Sequence, residues 1–188
     1  MGGALMASLI PSGSASGTGS MTLAAPTTNS NQTVTLPDAT GTVMVSGNMP
    51  AFSANKSTTD QTFTNGVFTK ITFNTEEFDT NNNFASSTFT PTVAGYYQVN
   101  SSLDVGANTG TLSRAFSSFY KNGSSYKVGS GIQSGFTGSE IQAVNSCVIY
   151  CNGSTDYIEV YVYATGTLPT VYAGSTNTWF NGVLVRSA

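Results

Sequence analysis

The sequence contains no histidine, and only 8% of its residues are charged. The first absence removes imidazole-based zinc sites and every Ser-His or Cys-His catalytic dyad. The second leaves nine acids and six bases, a net charge of −3. Six scattered Lys and Arg residues cannot build the clustered cationic surface that phosphate backbones need, so no nucleic-acid partner is expected. Long apolar runs are missing too. No stretch approaches the roughly 20 apolar residues that span a bilayer, so no membrane insertion is expected. Met1 to Ile10 is apolar, but it lacks a basic flank and a long hydrophobic segment. It therefore reads as a docking tail rather than a signal peptide. Cysteine is nearly absent: Cys147 and Cys151 fall in one run, Val144 to Cys151, that reads as a strand. At ~3.3 Å per residue they lie about 13 Å apart. A disulfide needs Cα atoms within about 7 Å. Free, buried thiols are expected, with no metal between them.

What the chain has in abundance is Thr, Ser, Asn and Gly, together with 11% aromatic residues. That mixture suits short strands joined by tight turns and does not suit helices. The composition shifts near Asn48-Met49-Pro50, which divides the chain into an N-terminal arm, 1–48, and a C-terminal domain, 49–188. The arm carries one charged side chain, Asp38. Within it Thr33 to Leu36 and Thr42 to Val45 are β-prone, and Pro37 to Gly41 reads as the turn between them. A lone hairpin is marginal in water. It must dock on something, which makes Leu36, Pro37, Val43 and Val45 the candidate anchoring residues.

From Ala51 onward the pattern predicts an all-β sandwich of about eight to ten strands, with turn signals every 8–12 residues or so. Val67 to Phe73 reads as one half-buried strand, and Asp79 to Asn83 as a loop. Lys121-Asn122-Gly123-Ser124 is a hairpin turn by its Asn-Gly pair. Gln142 to Cys151 and Tyr157 to Ala164 read as a second hairpin across Asn152-Gly153-Ser154. The first of these is apolar on both faces, with Cys147, Ile149 and Cys151 on one and Val144, Val148 and Tyr150 on the other. Such a strand lies inside a sandwich or in a subunit interface. Tyr157, Glu159, Tyr161 and Tyr163 form a ladder along the next strand, and exposed aromatic area of that kind marks an interface.

Glu76, Glu77 and Asp79 are the one acidic cluster. With carbonyls from Asn81 to Asn83 they are the place to look for Ca²⁺, a hard cation that takes six to eight oxygen ligands; no other cofactor is expected. Gly129 to Gly138 lacks the helix and Lys-Ser/Thr pair of a phosphate loop. As a solvent-facing loop it offers Tyr126, Gln133 and Phe136 as contacts for sugars, whose faces and hydroxyls suit exposed aromatics and amides. No acid pair or nucleophile–base set stands out, so no enzyme is expected.

Two resemblances sharpen this reading. Phe89-x-Pro91-x-x-x-Gly95-x-Tyr97 resembles the signature of the C1q-like (C1q/tumour-necrosis-factor) jelly-roll family. Pro50-Ala-Phe-Ser-Ala54, Asp156-Tyr-Ile-Glu-Val-Tyr-Val-Tyr163 and Thr178-Trp-Phe-Asn-Gly-Val-Leu-Val185 resemble its opening, late and closing strands. Here Gly182 is expected where a neighbour approaches closely, and Ser87-Thr88 replaces the family's Thr-Gly. The resemblance implies a jelly-roll β-sandwich that forms a homotrimer, with Tyr150, Tyr157, Tyr161, Tyr163 and Trp179 at the interface. The arm, from Leu23 through Ala25, Pro26 and Asn31 to Leu36-Pro-Asp38 and Thr40-Gly-Thr-Val43, resembles a recurrent piece of tailed-phage structural and fibre proteins. Together they imply a knob on the virion surface, held by its arm to capsid or tail proteins. It would be a capsid decoration, a head fibre or a short fibre tip that can adhere to host-surface glycans. The competing expectations are a tail-fibre receptor-binding protein and, from another class, a secreted bacterial C1q-like adhesin or lectin.

Overall fold

The computed structural model describes residues 49–132 and 138–188, with positions 16–19, 22, 27, 29, 31, 44, 45 and 47 before them. The chain divides into two units, Met1–Gly41 and Thr42–Ala188, and the second is described here. The expected arm hairpin, with Leu36, Pro37 and Val43, lies outside the described residues. Val45 is described and exposed, and Met44 packs against the buried core.

Among the described residues there are strands and no helix. In chain order they are β1 (Ala51–Asn55), β2 (Gln61–Thr62), β3 (Thr69–Lys70), β4 (Thr75–Asp79), β5 (Phe84–Ala85), β6 (Thr88–Phe89), β7 (Gly95–Ala107), β8 (Leu112–Lys121), β9 (Ser124–Ile132), β10 (Glu140–Cys151), β11 (Ile158–Gly166), β12 (Pro169–Val171) and β13 (Trp179–Ser187). Eight of them have five residues or more. Sheet one runs β4-β1-β13-β7-β10, and sheet two runs β9-β8-β11-β6-β5, with β3 also on β11. β9 belongs to both sheets and closes one side of the sandwich. All the pairings are antiparallel.

Alternation builds the core. Tyr97, Val99, Leu103 and Val105 point inward from β7, and Ile158, Val160, Val162 and Ala164 point inward from β11; all are fully buried. Between the sheets lies an aromatic cluster centred on Phe52. Its ring stacks on Phe89 at 4.3 Å and Phe84 at 4.9 Å, and meets Phe180 edge-on at 4.8 Å. The buried Tyr97 hydroxyl donates to Val93 O at 2.7 Å, so the ring fills the core without stranding a polar atom. Gly182 does sit at a close approach. A Cβ there would stand 2.8 Å from the Phe52 ring and 3.1 Å from Val99.

Several expectations need correction. β10 and β11 do not form a hairpin. β10 pairs with β7 along its length and β11 pairs with β8, so the turn at Asn152 to Asp156 crosses from one sheet to the other. The Asn122-Gly123 turn does join a true hairpin, β8 to β9, with both residues at positive φ (53° and 77°). A second tight turn, between β5 and β6, is Ser86-Ser87, at φ 50° and 59°. Val67 to Phe73 is not one strand. Thr69–Lys70 is the part that forms a strand, on β11, while Ile71 and Phe73 lie in the core and Val67 and Phe68 are exposed. Within one chain β10 is buried on one face and presents Val144, Val148 and Tyr150 on the other, so of the two places expected for it the sandwich interior is ruled out and a subunit interface is left open.

Candidate functional site

The outer face of sheet one is laid out in rows by the register of β13, β7 and β10. In the middle row Asn181, Asn100 and Ser146 stand side by side. Asn100 Nδ2 donates to Asn181 Oδ1 at 3.0 Å, and Ser146 Oγ donates to Asn100 Oδ1 at 2.8 Å. Gln98 Nε2 donates to Ser146 Oγ at 2.9 Å. The belt continues onto β1 and β4, where Glu77 accepts from Ser53 Oγ at 2.6 Å and from Asn55 Nδ2 at 3.1 Å.

To one side of the belt the face is apolar. Val183, Val148 and Tyr96 are 42%, 50% and 43% exposed, and Tyr150 and Val185 stand beside them. Tyr96 and Tyr150 are cross-strand partners with ring centroids 5.4 Å apart. Gln98 lies between Val183 and Val148 in the register. The cluster sits where the chain enters β1, for Ala51 pairs with Val183 and Pro50 O accepts from Leu184 N. To the other side of the belt, Trp179, Ser102 and Val144 share a row that borders a groove against β9. Beyond it Glu140 hydrogen-bonds to Asp104, which pushes the Glu140 carboxyl above its usual range.

The residues expected at one interface divide between two faces. Tyr150 and Trp179 lie on sheet one. Tyr161 and Tyr163 stand on the outer face of sheet two, half-buried against their own chain, and Tyr157 just precedes β11. Tyr161 stacks on Tyr120 at 3.8 Å, and Tyr163 stacks on Phe116 at 5.1 Å with Phe68 beside it. Glu159, in the same ladder, is buried and paired with Lys70 at 2.7 Å. Cross-strand packing within the sandwich accounts for this ladder. Sequence reasoning missed Tyr96, Val183 and Val185, which join Val148 and Tyr150 only through a register that the β10–β11 hairpin assignment had wrong.

Tyr126 is exposed on β9 beside Lys127, and Gln133 and Phe136 lie outside the described residues. The acidic cluster is dispersed by its own hydrogen bonds. Glu77 serves the belt, while Asp79 accepts from Asn81 N at 3.2 Å and Phe84 N at 2.6 Å. Among the described residues no group of three acidic or cysteine side chains could hold a metal ion. Cys147 and Cys151 are free, and burial pushes their thiols up to about 11 and about 12, where no thiolate nucleophile forms near neutral pH.

Asp156 locks the turn that crosses between the sheets. It accepts from Asn122 Nδ2 at 2.7 Å, Lys121 Nζ at 2.9 Å and Asn152 N at 3.0 Å. These bonds, the Asn122 bond foremost, hold its carboxyl below the usual range. The depressed group stabilises the fold above its unfolded value of about pH 4, and that contribution is lost as pH falls through the folded value. Asp156→Asn is therefore expected to lower the melting temperature by several degrees at neutral pH and to narrow the gap to the parent in acid. An unchanged gap between neutral pH and acid, read by circular dichroism melts, would contradict the role.

No protein-family model and no curated protein matches this chain. Solved structures do. The globular domain of zebrafish complement 1qA superposes with a TM-score of 0.55 at 20% identity, covering 74% of this chain and 98% of that one. Murine APRIL at pH 8.5 gives 0.51 at 11% identity, covering 73% and 99%. Eiger TNF from S. frugiperda gives 0.51 at 9% identity, covering 74% and 93%. The sandwich has the jelly-roll fold of C1q and TNF domains.

Proposed function

We propose that this protein is a structural, non-enzymatic component of a tailed-phage virion. Three copies associate through the outer face of sheet one into a surface knob, and the N-terminal arm anchors the knob to capsid or tail proteins. The knob is a capsid decoration, a head fibre or a short fibre tip, and it adheres to host-surface glycans. The observation that carries the reading is the apolar cluster of Tyr96, Val148, Tyr150, Val183 and Val185 beside the start of β1. Contiguous exposed apolar area at that place favours association. Three copies meeting there bring the starts of their β1 strands together, as one anchor requires. The amide belt fixes the register, because its hydrogen-bonding groups must find partners wherever a neighbour covers them. The phage setting comes from the sequence of the arm.

Deletion of residues 1–48 tests the division of labour. The truncated protein is expected to stay folded and associated while failing to incorporate into particles, read by mass spectrometry of purified virions. Hundreds of copies of the parent per particle indicate a capsid decoration, and a few to a few dozen indicate a fibre. Absence of the parent from particles would contradict the virion reading and favour the secreted adhesin.

A further inference from the structure

Two carboxyl groups meet on the outer face of sheet one, at the end opposite to the apolar cluster. Asp104 alternates with the core residues Leu103 and Val105, so it points out of the sheet, yet it is 6% exposed. Glu140 stands beside it. Gln142 pairs with Asp104 and Glu140 with Gly106, which makes the two acids diagonal neighbours on one face. The Tyr172 ring lies over Gly106, where a Cβ would come within 2.2 Å of it, and walls the pair on one side. Asp104 Oδ2 accepts from Asn177 Nδ2 at 3.2 Å. Oδ1 is closed to solvent, and no N–H or hydroxyl of the described residues donates to it. The Gln142 amide, level with Asp104 in the register, is committed to Ser102 Oγ and Asn177 O. Among the described residues, the group left to supply a hydrogen to Oδ1 is the Glu140 carboxyl in its protonated form.

We infer that Asp104 and Glu140 share one proton, and that this proton latches neighbouring copies together at this end of the association face. Two bare carboxylates in contact repel, and a neighbouring copy laid over them would strip away the water that screens them. With the proton in place the pair is one hydrogen-bonded unit of charge −1, and it titrates as a unit. The bond from Asp104 already raises the Glu140 carboxyl in the single chain, and burial between copies raises it further. The assembly therefore binds the proton more tightly than the single chain does. Association is favoured in acid and weakens as pH climbs from the ordinary glutamate value of about 4.3 through the raised one. The neighbouring groups do not reverse that sign. Asp60 and the Tyr172 phenol stand beside the pair, and the phenol stays neutral because burial first, then Glu140, Asp60 and Asp104, raise it. Lys56, which the charge of Asp60 reaches, is itself buried, with its Nζ donating to Thr72 O and Oγ1 at 3.1 Å. The latch rests on the proposed association through the outer face of sheet one and adds what regulates it.

The chain has no histidine, and burial raises its two thiols to about 11 and about 12. Between pH 5 and 8 no side chain with an ordinary value titrates, and the α-amino group is common to every variant. Dilution series of the full chain are followed by sedimentation velocity at pH 5, 6, 7 and 8, at one ionic strength and with EDTA, so that no divalent cation stands in for the proton. The concentration for half-assembly is expected to rise about tenfold or more from pH 5 to pH 8. Glu140→Gln puts a permanent N–H donor beside Oδ1 and is expected to hold that concentration constant within about twofold. Asp104→Asn removes the pair from the other side and is expected to give the same flat profile, should Glu140→Gln fail to fold by circular dichroism. Parent chains that associate equally at all four pH values overturn the latch and keep the association. A folded Glu140→Gln protein with the parent's pH dependence does the same. Single chains of the parent at every pH overturn the association itself and the latch with it.

Discussion

Phe52→Ala is expected to cost about 3–5 kcal/mol, the usual penalty for removing a fully buried aromatic side chain. Phe52 is fully buried on β1, and Phe84, Phe89 and Phe180 all contact its ring. These partners come from both sheets, so neither sheet can close on the void without shifting against the other. Against a typical domain stability of about 5–15 kcal/mol, the loss leaves the sandwich marginal. Urea unfolding of parent and variant measures it. Phe68→Ala is the control: Phe68 is the exposed cap of the tyrosine ladder, 36% exposed, and its loss is expected to stay near 1 kcal/mol. Equal losses at the two positions would contradict the assignment of the core.

The second large effect concerns association. Val148→Asp together with Val183→Asp places two carboxylates on either side of Gln98, in the centre of the apolar cluster. Both positions are exposed in the single chain, so the fold should hold, with an unchanged circular dichroism spectrum. In the assembled protein the charges would be desolvated without partners, at a cost of several kcal/mol each after relaxation. The variant is expected to elute from a sizing column as single chains while the parent elutes as the assembly. Tyr161→Asp, on the opposite sheet, is expected to leave the assembly intact. Loss of assembly with Tyr161→Asp and not with the double variant would move the interface to the tyrosine ladder.

How much of this was legible in the sequence depends on how far apart the contacting residues lie. Local signals carried well. The Asn122-Gly123 turn and the run of period two that became β10 follow from residue type and spacing, and the resemblance supplied the closing strand β13 with the crowded position of Gly182. Strand partnership did not follow. A turn between two strands suggests a hairpin, but in a sandwich the same turn can pass from sheet to sheet. Asp156 makes that crossing by tying Asn152 to Asn122 and Lys121, more than thirty residues away. Composition hid Ser86-Ser87, since neither residue announces a positive φ as glycine would. The apolar face was half visible. Val144, Val148 and Tyr150 stood out by their period of two, while Tyr96, Val183 and Val185 belong to strands remote in sequence and join them only through the observed register. The groove was invisible because it exists where β9 and β10 cease to pair.

Light scattering of the intact chain at micromolar concentration tests the central claim most directly. Three associated copies of a 19.5 kDa chain give a mass of 58.5 kDa (3 × 19.5), and that is the result the account predicts. A mass of 19.5 kDa at that concentration would contradict it.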